Sequence, residues 1–273
     1  YVDPSLHWYR STLAHNAPLV NGRSQPRASG TLLAYDERGD IGWVCASARI
    51  SQQPAVVAER ALTVLEGMLI DELRWSAGEP VRLEGPVHAR VRIERAGHPG
   101  MAWGEAALGG GDALEDGFAH VHDARRAFVS ANEIVRLVDE LTNAVLAWAV
   151  ASVDSEWWTL SSLGAPGAGD QRFLLLRANA DAGRIHMVWD WSNTVREISL
   201  DGARVRIFGA DDATTDYEWR ADGAHTSRGV LSGFRAAEVQ ALDEAAHEPV
   251  AIAAHALPFA RALGESDYRM SEH

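Results

Sequence analysis

The chain has 273 residues, 47% of them hydrophobic and 23% charged, a balance that excludes a disordered protein and supplies a sizeable core. Its net charge of −13 argues against nucleic acid or an anionic membrane as partner, because both require a basic face. No run of eighteen apolar residues marks a membrane span, no tripartite signal start is present, and the single cysteine, Cys45, excludes a disulfide framework. All 25 basic residues are arginine, whose guanidinium forks suit carboxylate or sulfate groups.

In chain order, Cys45 lies on the apolar segment 41–48 and reads as a buried structural thiol. Residues 54–75 are apolar enough for a buried helix, yet Glu66-Gly67 reads equally well as the turn of a hairpin. Residues 87–94 alternate strictly between apolar and polar, as a half-buried strand requires. At 130–148, Ser130 and Glu133 have capping-box spacing, and Ile134, Leu137, Val138, Leu141, Val145 and Trp148 fit a helix. The continuous apolar run 144–151 fits a buried strand instead, so both readings stand.

Further short strands are predicted at 172–179, 184–191, 195–200, 203–208 and 214–219, with turns at Ala182-Gly183, Asp201-Gly202 and Asp222-Gly223. Strands at this spacing predict a mainly β fold, an antiparallel two-layer β-sandwich over residues 1–233. The glycine-rich loop at 164–170 is a candidate divide between two halves of it. Residues 234–273 read as a linker or the start of a further module, with a short helical tail marked by Ala236, Val239 and Leu242.

Several clusters bear on chemistry. His120-Val121-His122-Asp123 on a strand would point two imidazoles to one face, where a metal could bridge them; solvated strand histidines are the plainer reading. Asp112, Glu115 and Asp116 lie nearby after Gly109-Gly110-Gly111, and those glycines fit no phosphate-loop pattern. Trp189 and Trp191 share one strand face, and Trp157-Trp158 precedes the 164–170 loop. Exposed tryptophans stack on sugar rings, whereas ten tryptophans in an all-β chain mostly fill core. No nucleophile-elbow pattern supports serine hydrolysis.

The most informative stretch is Tyr9-Arg10-Ser11-Thr12-Leu13-Ala14-His15-Asn16 followed by Leu19-Val20-Asn21-Gly22-Arg23-Ser24-Gln25. It resembles the heparinase II/III family of polysaccharide lyases, with departures at Ala17-Pro18 and at Asn21, where the family usually has Asp. A second similarity runs from Arg60 through Leu65-Glu66-Gly67-Met68 to Asp71-Glu72-Leu73, like the paired strands that follow in that family, and favours the hairpin there.

The resemblance implies a bacterial, periplasmic or secreted enzyme that joins an N-terminal α-helical toroid to a β-sandwich and cleaves a uronate-containing chain by β-elimination in the cleft between them. It implies that this chain is most of the sandwich, that a His-x-His-x-Asp segment precedes Tyr1, and that the isolated chain is inactive. Asn16 and Arg10 of the motif, with Trp189 and Trp191 as the tryptophans able to stack on a sugar, are the substrate-binding candidates for an anionic polysaccharide. His15 is the metal candidate, for a structural zinc in the parent protein, with His120, His122 and Asp123 as the alternative cluster. The competing expectation is a non-catalytic carbohydrate-binding or interdomain sandwich, which the net charge of −13 favours because a polyanion must approach an acidic body.

Overall fold

A computed structural model describes residues 5–65, 67–96, 103–108, 116–164, 169–227 and 229–232, and the backbone of 234–235. The expected helical tail and the Gly109-Gly110-Gly111 loop lie outside the described residues. The chain opens with a short helix, α1 (Ser5–Arg10), and then runs through strands β1 (Leu19–Val20), β2 (Thr31–Arg38), β3 (Ile41–Gln52), β4 (Ala55–Leu65), β5 (Met68–Val87), β6 (Val91–Arg95), β7 (Gly104–Glu105) and β8 (His122–Val129). It continues through β9 (Ile134–Asp139), β10 (Val145–Ala151), β11 (Ser155–Ser162), β12 (Gln171–Asp190), β13 (Val195–Asp201), β14 (Arg204–Gly209), β15 (Thr214–Arg220), β16 (Gly223–Thr226) and β17 (Gly229–Leu231). The fold is mainly β and antiparallel, as expected. Among the described residues no helix is long and apolar enough to cross a membrane.

The larger sheet runs β2-β3-β4-β5-β12-β10-β9-β6, and the smaller is the meander β13 to β17. They face each other over a core in which Trp43, Ile70, Trp148 and Val188 of the larger sheet meet Ile198, Val205, Ile207 and Tyr217 of the smaller. Strand alternation builds this directly. On β10, Trp148 enters that core while Ala147, Ala149 and Ala151 turn to a second core on the other face of the sheet.

The two longest strands, β5 and β12, pair from Leu174–Val87 to Asp190–Met68 with one irregularity between Ala180 and Ala182. Both change neighbours on the outer side: β5 passes from β4 to β1, and β12 from β11 to β10. The larger sheet therefore branches, and residues from both halves, such as Trp75, Leu83, Trp157 and Leu176, share the second core. The expected turn at Ala182-Gly183 is this irregularity instead, within one continuous strand. Gly183 is paired with Trp75, and a Cβ there would lie 2.1 Å from the indole, so only glycine lets the ring cross the neighbouring strand.

Two further expectations resolve. Residues 54–75 form the β4–β5 hairpin, with Gly67 at φ +74° returning the chain. Residues 130–148 are also a hairpin, β9–β10, and not a helix. The capping-box contact exists, since the Ser130 N–H donates to Glu133 Oε2 at 3.1 Å, but it holds a β-turn around Asn132 at φ +62°. The strands on either side of the 164–170 loop, β11 and β12, pair with each other.

A third apolar cluster seats the N-terminal segment, with Trp8, Leu13 and Leu19 buried against Trp158, Leu160, Phe173 and Leu175. The segment is tied by its own polar residues. Thr12 N–H donates to Ser24 Oγ at 3.0 Å, the Gln25 N–H to Thr12 Oγ1 at 2.8 Å, and Gln25 Nε2 to the Pro18 carbonyl at 2.8 Å. Asn21 takes the left-handed conformation at φ +53° and exchanges hydrogen bonds with the Arg82 backbone. Much of the motif at 9–25 is thus a device for holding this loop on the sheet.

Candidate functional site

The β4–β5 register sets the site. Leu62 lies opposite Asp71 and Arg60 opposite Leu73, which makes Arg60 and Asp71 diagonal neighbours on one face of the hairpin. Arg60 donates from Nε to Asp71 Oδ1 at 2.8 Å and from Nη2 to Asp71 Oδ2 at 2.5 Å, a bidentate pair. Its remaining terminal nitrogen, Nη1, donates to the Asn16 carbonyl at 2.7 Å. The bond to Asp71 raises the Arg60 guanidinium above its ordinary value against the opposing effect of burial, so it is a fixed cation.

Asn16 is held from its other side. Its Oδ1 accepts from the His88 N–H at 2.7 Å. The strand expected over 87–94 is broken here: β5 ends at Val87, β6 starts at Val91, and tight bonds from Ala89 N–H to the Val87 carbonyl and from Val91 N–H to the Ala89 carbonyl turn the chain between them. The His88 ring donates through Nε2 to the Leu13 carbonyl at 2.8 Å and stacks on Phe173 at 4.7 Å between centroids. Burial lowers His88 below the ordinary histidine value, the Leu13 carbonyl opposing and nearby His15 adding to the shift, so the ring is neutral at pH 7.

Between these groups lies a cavity of about 270 Å³. Asn16, Arg60 and Asp71 line its polar side, and Leu176, Met187 and Trp189 line part of its apolar side. Arg60 and Asp71 cancel in charge, and the cavity is near the lower end of the ~300–1,000 Å³ usual for small-molecule sites, which suits one ring. An aromatic wall facing a carboxylate, a guanidinium and an amide can stack on a sugar ring and hydrogen-bond its hydroxyls.

The structure thus brings Asn16 and Trp189 together and leaves the other candidates elsewhere. Arg10 is exposed at the end of α1 and is not among the described residues lining the cavity. Trp191 lies beyond the end of β12, is 61% exposed, and is not among those residues either. Trp157 and Trp158 are buried, as is Cys45, whose thiol burial pushes up to about 12. Arg60, Asp71 and His88 were not singled out as site residues from sequence. The signal available for the first two was their position at the two ends of the hairpin similarity.

The metal candidates do not converge. His15 is exposed, with Nε2 3.1 Å from the Tyr9 carbonyl. His120 lies in a 3-10 turn that starts after Gly117 at φ +86°, and β8 begins only at His122, so the two imidazoles do not share a strand face. His120 sits against Trp8, while His122 Nε2 lies 3.1 Å from Asp170 and 3.7 Å from Asp123, a cluster that His120 and His15 do not join. Among the described residues there is no group of three or more His, Cys, Asp or Glu able to hold a metal, so they do not by themselves fit a zinc.

No protein-family model matches the chain, and no curated protein matches it. Among solved structures it is similar to heparinase III, the BT4657 gene product, with a TM-score of 0.47 and 6% identity over 77% of this chain and 30% of that one. It is also similar to the heparan sulfate lyase HepC from Pedobacter heparinus, with a TM-score of 0.44 and 8% identity over 84% of this chain and 32% of that one. The chain spans about a third of the length of these solved lyases.

Proposed function

We propose that this chain is the β-sandwich region of a heparinase II/III-like polysaccharide lyase and supplies one wall of a cleft for a uronate-containing polysaccharide. The observation that carries the reading is that the two segments bearing the resemblance meet in one cavity. Arg60 and Asp71, which bound the hairpin similarity, are joined through Arg60 to Asn16 of the 9–25 motif, with Trp189 lining the same cavity. Removal of a proton beside a carboxylate needs a base and a neutralising group, and the wall contributes orientation while a facing domain supplies the base. A zinc held by His15 with ligands from outside the described residues, and a periplasmic or secreted location, belong to the same proposal.

The non-catalytic binding module is the second reading. It is favoured by the polar lining of the cavity, where Asn16, Arg60 and Asp71 are joined or fixed by hydrogen bonds. Affinity electrophoresis of the chain through gels containing hyaluronan, alginate or heparan sulfate tests both readings against no carbohydrate function. Retardation that Trp189→Ala reduces supports a saccharide wall, and unretarded migration in every gel contradicts it. Unsaturated-uronate absorbance from a longer parent protein separates the lyase from the binding module.

A further inference from the structure

A second, more polar hollow of about 510 Å³ adjoins the cavity and is lined by His88, Arg90, Glu140, Asp170, Gln171 and Arg172. The two are linked through consecutive residues: Val87 lines the first and His88 the second, and the His88 N–H is bonded to Asn16 of the first. The hollow differs from the cavity in chemistry. Arg172 is exposed and, among the described residues, donates through one terminal nitrogen, Nη1, to Glu140 at 3.1 Å. Arg90 is exposed, makes no ion pair within 4 Å among the described residues, and acts at longer range on Asp139. Asp170 has His122 as partner at 3.1 Å.

His88 completes the set. A carbonyl can only accept, so Nε2 carries the proton bonded to Leu13 and the neutral ring keeps its lone pair on Nδ1. Stacking on Phe173 at an interplanar angle of 12° and an edge contact with Trp8 at 6.2 Å fix the ring plane. The hollow therefore offers guanidinium donors from Arg90 and Arg172 and acceptors from His88, Glu140 and Asp170, the complement of a sugar bearing a carboxylate and hydroxyls.

We infer that this hollow is an adjoining subsite for a carboxylate-bearing sugar unit, with Arg90 and Arg172 holding the carboxylate, while the Trp189 cavity takes the apolar face of the neighbouring ring. The inference rests on the saccharide reading above and adds where the charge is read. Exposed guanidiniums act in high dielectric, so this part of the binding is sensitive to salt.

The test is calorimetric titration of the full 273-residue chain with a hyaluronan hexasaccharide and with its carboxyl-reduced counterpart. Arg90→Gln together with Arg172→Gln is expected to weaken the hexasaccharide roughly fivefold or more and to flatten its salt dependence, with little change for the reduced probe. Both side chains are exposed, so unchanged thermal unfolding of the double variant verifies its fold. Trp189→Ala is expected to weaken both probes. If the double variant binds both probes as wild type does while Trp189→Ala weakens them, the subsite is overturned and the saccharide reading stands. If wild type binds neither probe, the saccharide reading fails and the subsite with it.

Discussion

Arg60 and Asn16, 44 residues apart in sequence, are joined by a hydrogen bond of 2.7 Å from a guanidinium whose other two donor nitrogens are committed to Asp71. One side chain thus couples the β4–β5 hairpin to the loop that carries His15 and Asn16. Replacing Arg60 by Gln leaves the mostly buried Asp71 carboxylate without its partner and the Asn16 carbonyl without its donor. The expected cost is about 1–3 kcal/mol, held toward the lower end because the Arg60 side chain is 38% exposed. Arg60→Lys is expected to recover only part of this, since an ammonium cannot reproduce the fork. Urea unfolding of the three proteins measures it; equal midpoints would show that the pair holds nothing.

Gly183 gives a steric prediction. With Trp75 buried across the strand pair, Gly183→Ala forces the indole or the backbone to move, and Gly183→Val more so. Overpacking of this kind costs roughly 1–3 kcal/mol, about 2–4 °C of melting temperature per kcal/mol in a domain of this size. Thermal unfolding of the alanine variant at the wild-type temperature would contradict the packing described.

The interface between the sheets holds a buried polar group with a pH consequence. Glu72 accepts from Arg74 Nε at 2.6 Å and has Arg184 Nε at 3.1 Å, with His186 Nδ1 3.7 Å away and Tyr217 buried above the same face. Burial, with Arg184 and Arg74 adding to it, lowers His186 from 6.5 to about 3. The unfolded chain therefore takes up a proton below pH 6.5 that the folded chain refuses until about pH 3, and stability falls as pH drops through that window. Burial raises Glu72, so its protonation in the folded state opposes the loss at the acid end. The expected decline from His186 alone is about 1 kcal/mol per pH unit at pH 6, approaching about 1.4 near pH 5, and His186→Gln is expected to flatten it. Denaturant midpoints measured from pH 7 to pH 5 check this; identical slopes in the two proteins would refute it.

The isolated chain is expected to give no unsaturated-uronate absorbance on heparan sulfate, alginate or hyaluronan, because the proposed base belongs to a facing domain. Turnover by this chain alone would place the whole reaction in the sandwich.

Much of the fold was legible because period-two patterning is local. The meander from 195 followed from alternation and turn residues, and the burial of Cys45 and of Trp157-Trp158 from apolar context and composition. The hairpin at 55–65 and 68–87, by contrast, was chosen over a helix only by the family resemblance. The stretch 130–148 was ambiguous because its apolar spacing satisfies a helix as well as two short strands; Leu141, which a helix would bury, is 67% exposed in the turn. At Ala182-Gly183 a turn signal marked an irregularity inside a strand, since the glycine answers to the Trp75 indole across the sheet.

The site was half legible for the same reason. Asn16 stood out through the motif resemblance and Trp189 as a residue type, but the clasp of Arg60 on Asp71 depends on hairpin register, and the turn at 88–90 that brings His88 to Asn16 interrupts a perfect alternation. His120 was misplaced by assuming that the strand of His122 reaches back to it, where Gly117 sets a 3-10 turn. Side-chain register across a sheet is tertiary information, and no local pattern contains it.

The central claim, that Asn16, Arg60, Asp71 and Trp189 form a saccharide-binding wall, is tested most directly by magnetic resonance of the chain with its tryptophan indoles labelled, titrated with a hyaluronan hexasaccharide. The Trp189 signal, assigned by its loss in Trp189→Phe, is predicted to shift progressively and saturate while the exposed Trp191 and the buried Trp157 and Trp158 stay in place. A titration in which Trp189 does not move, or in which only Trp191 does, would contradict the account.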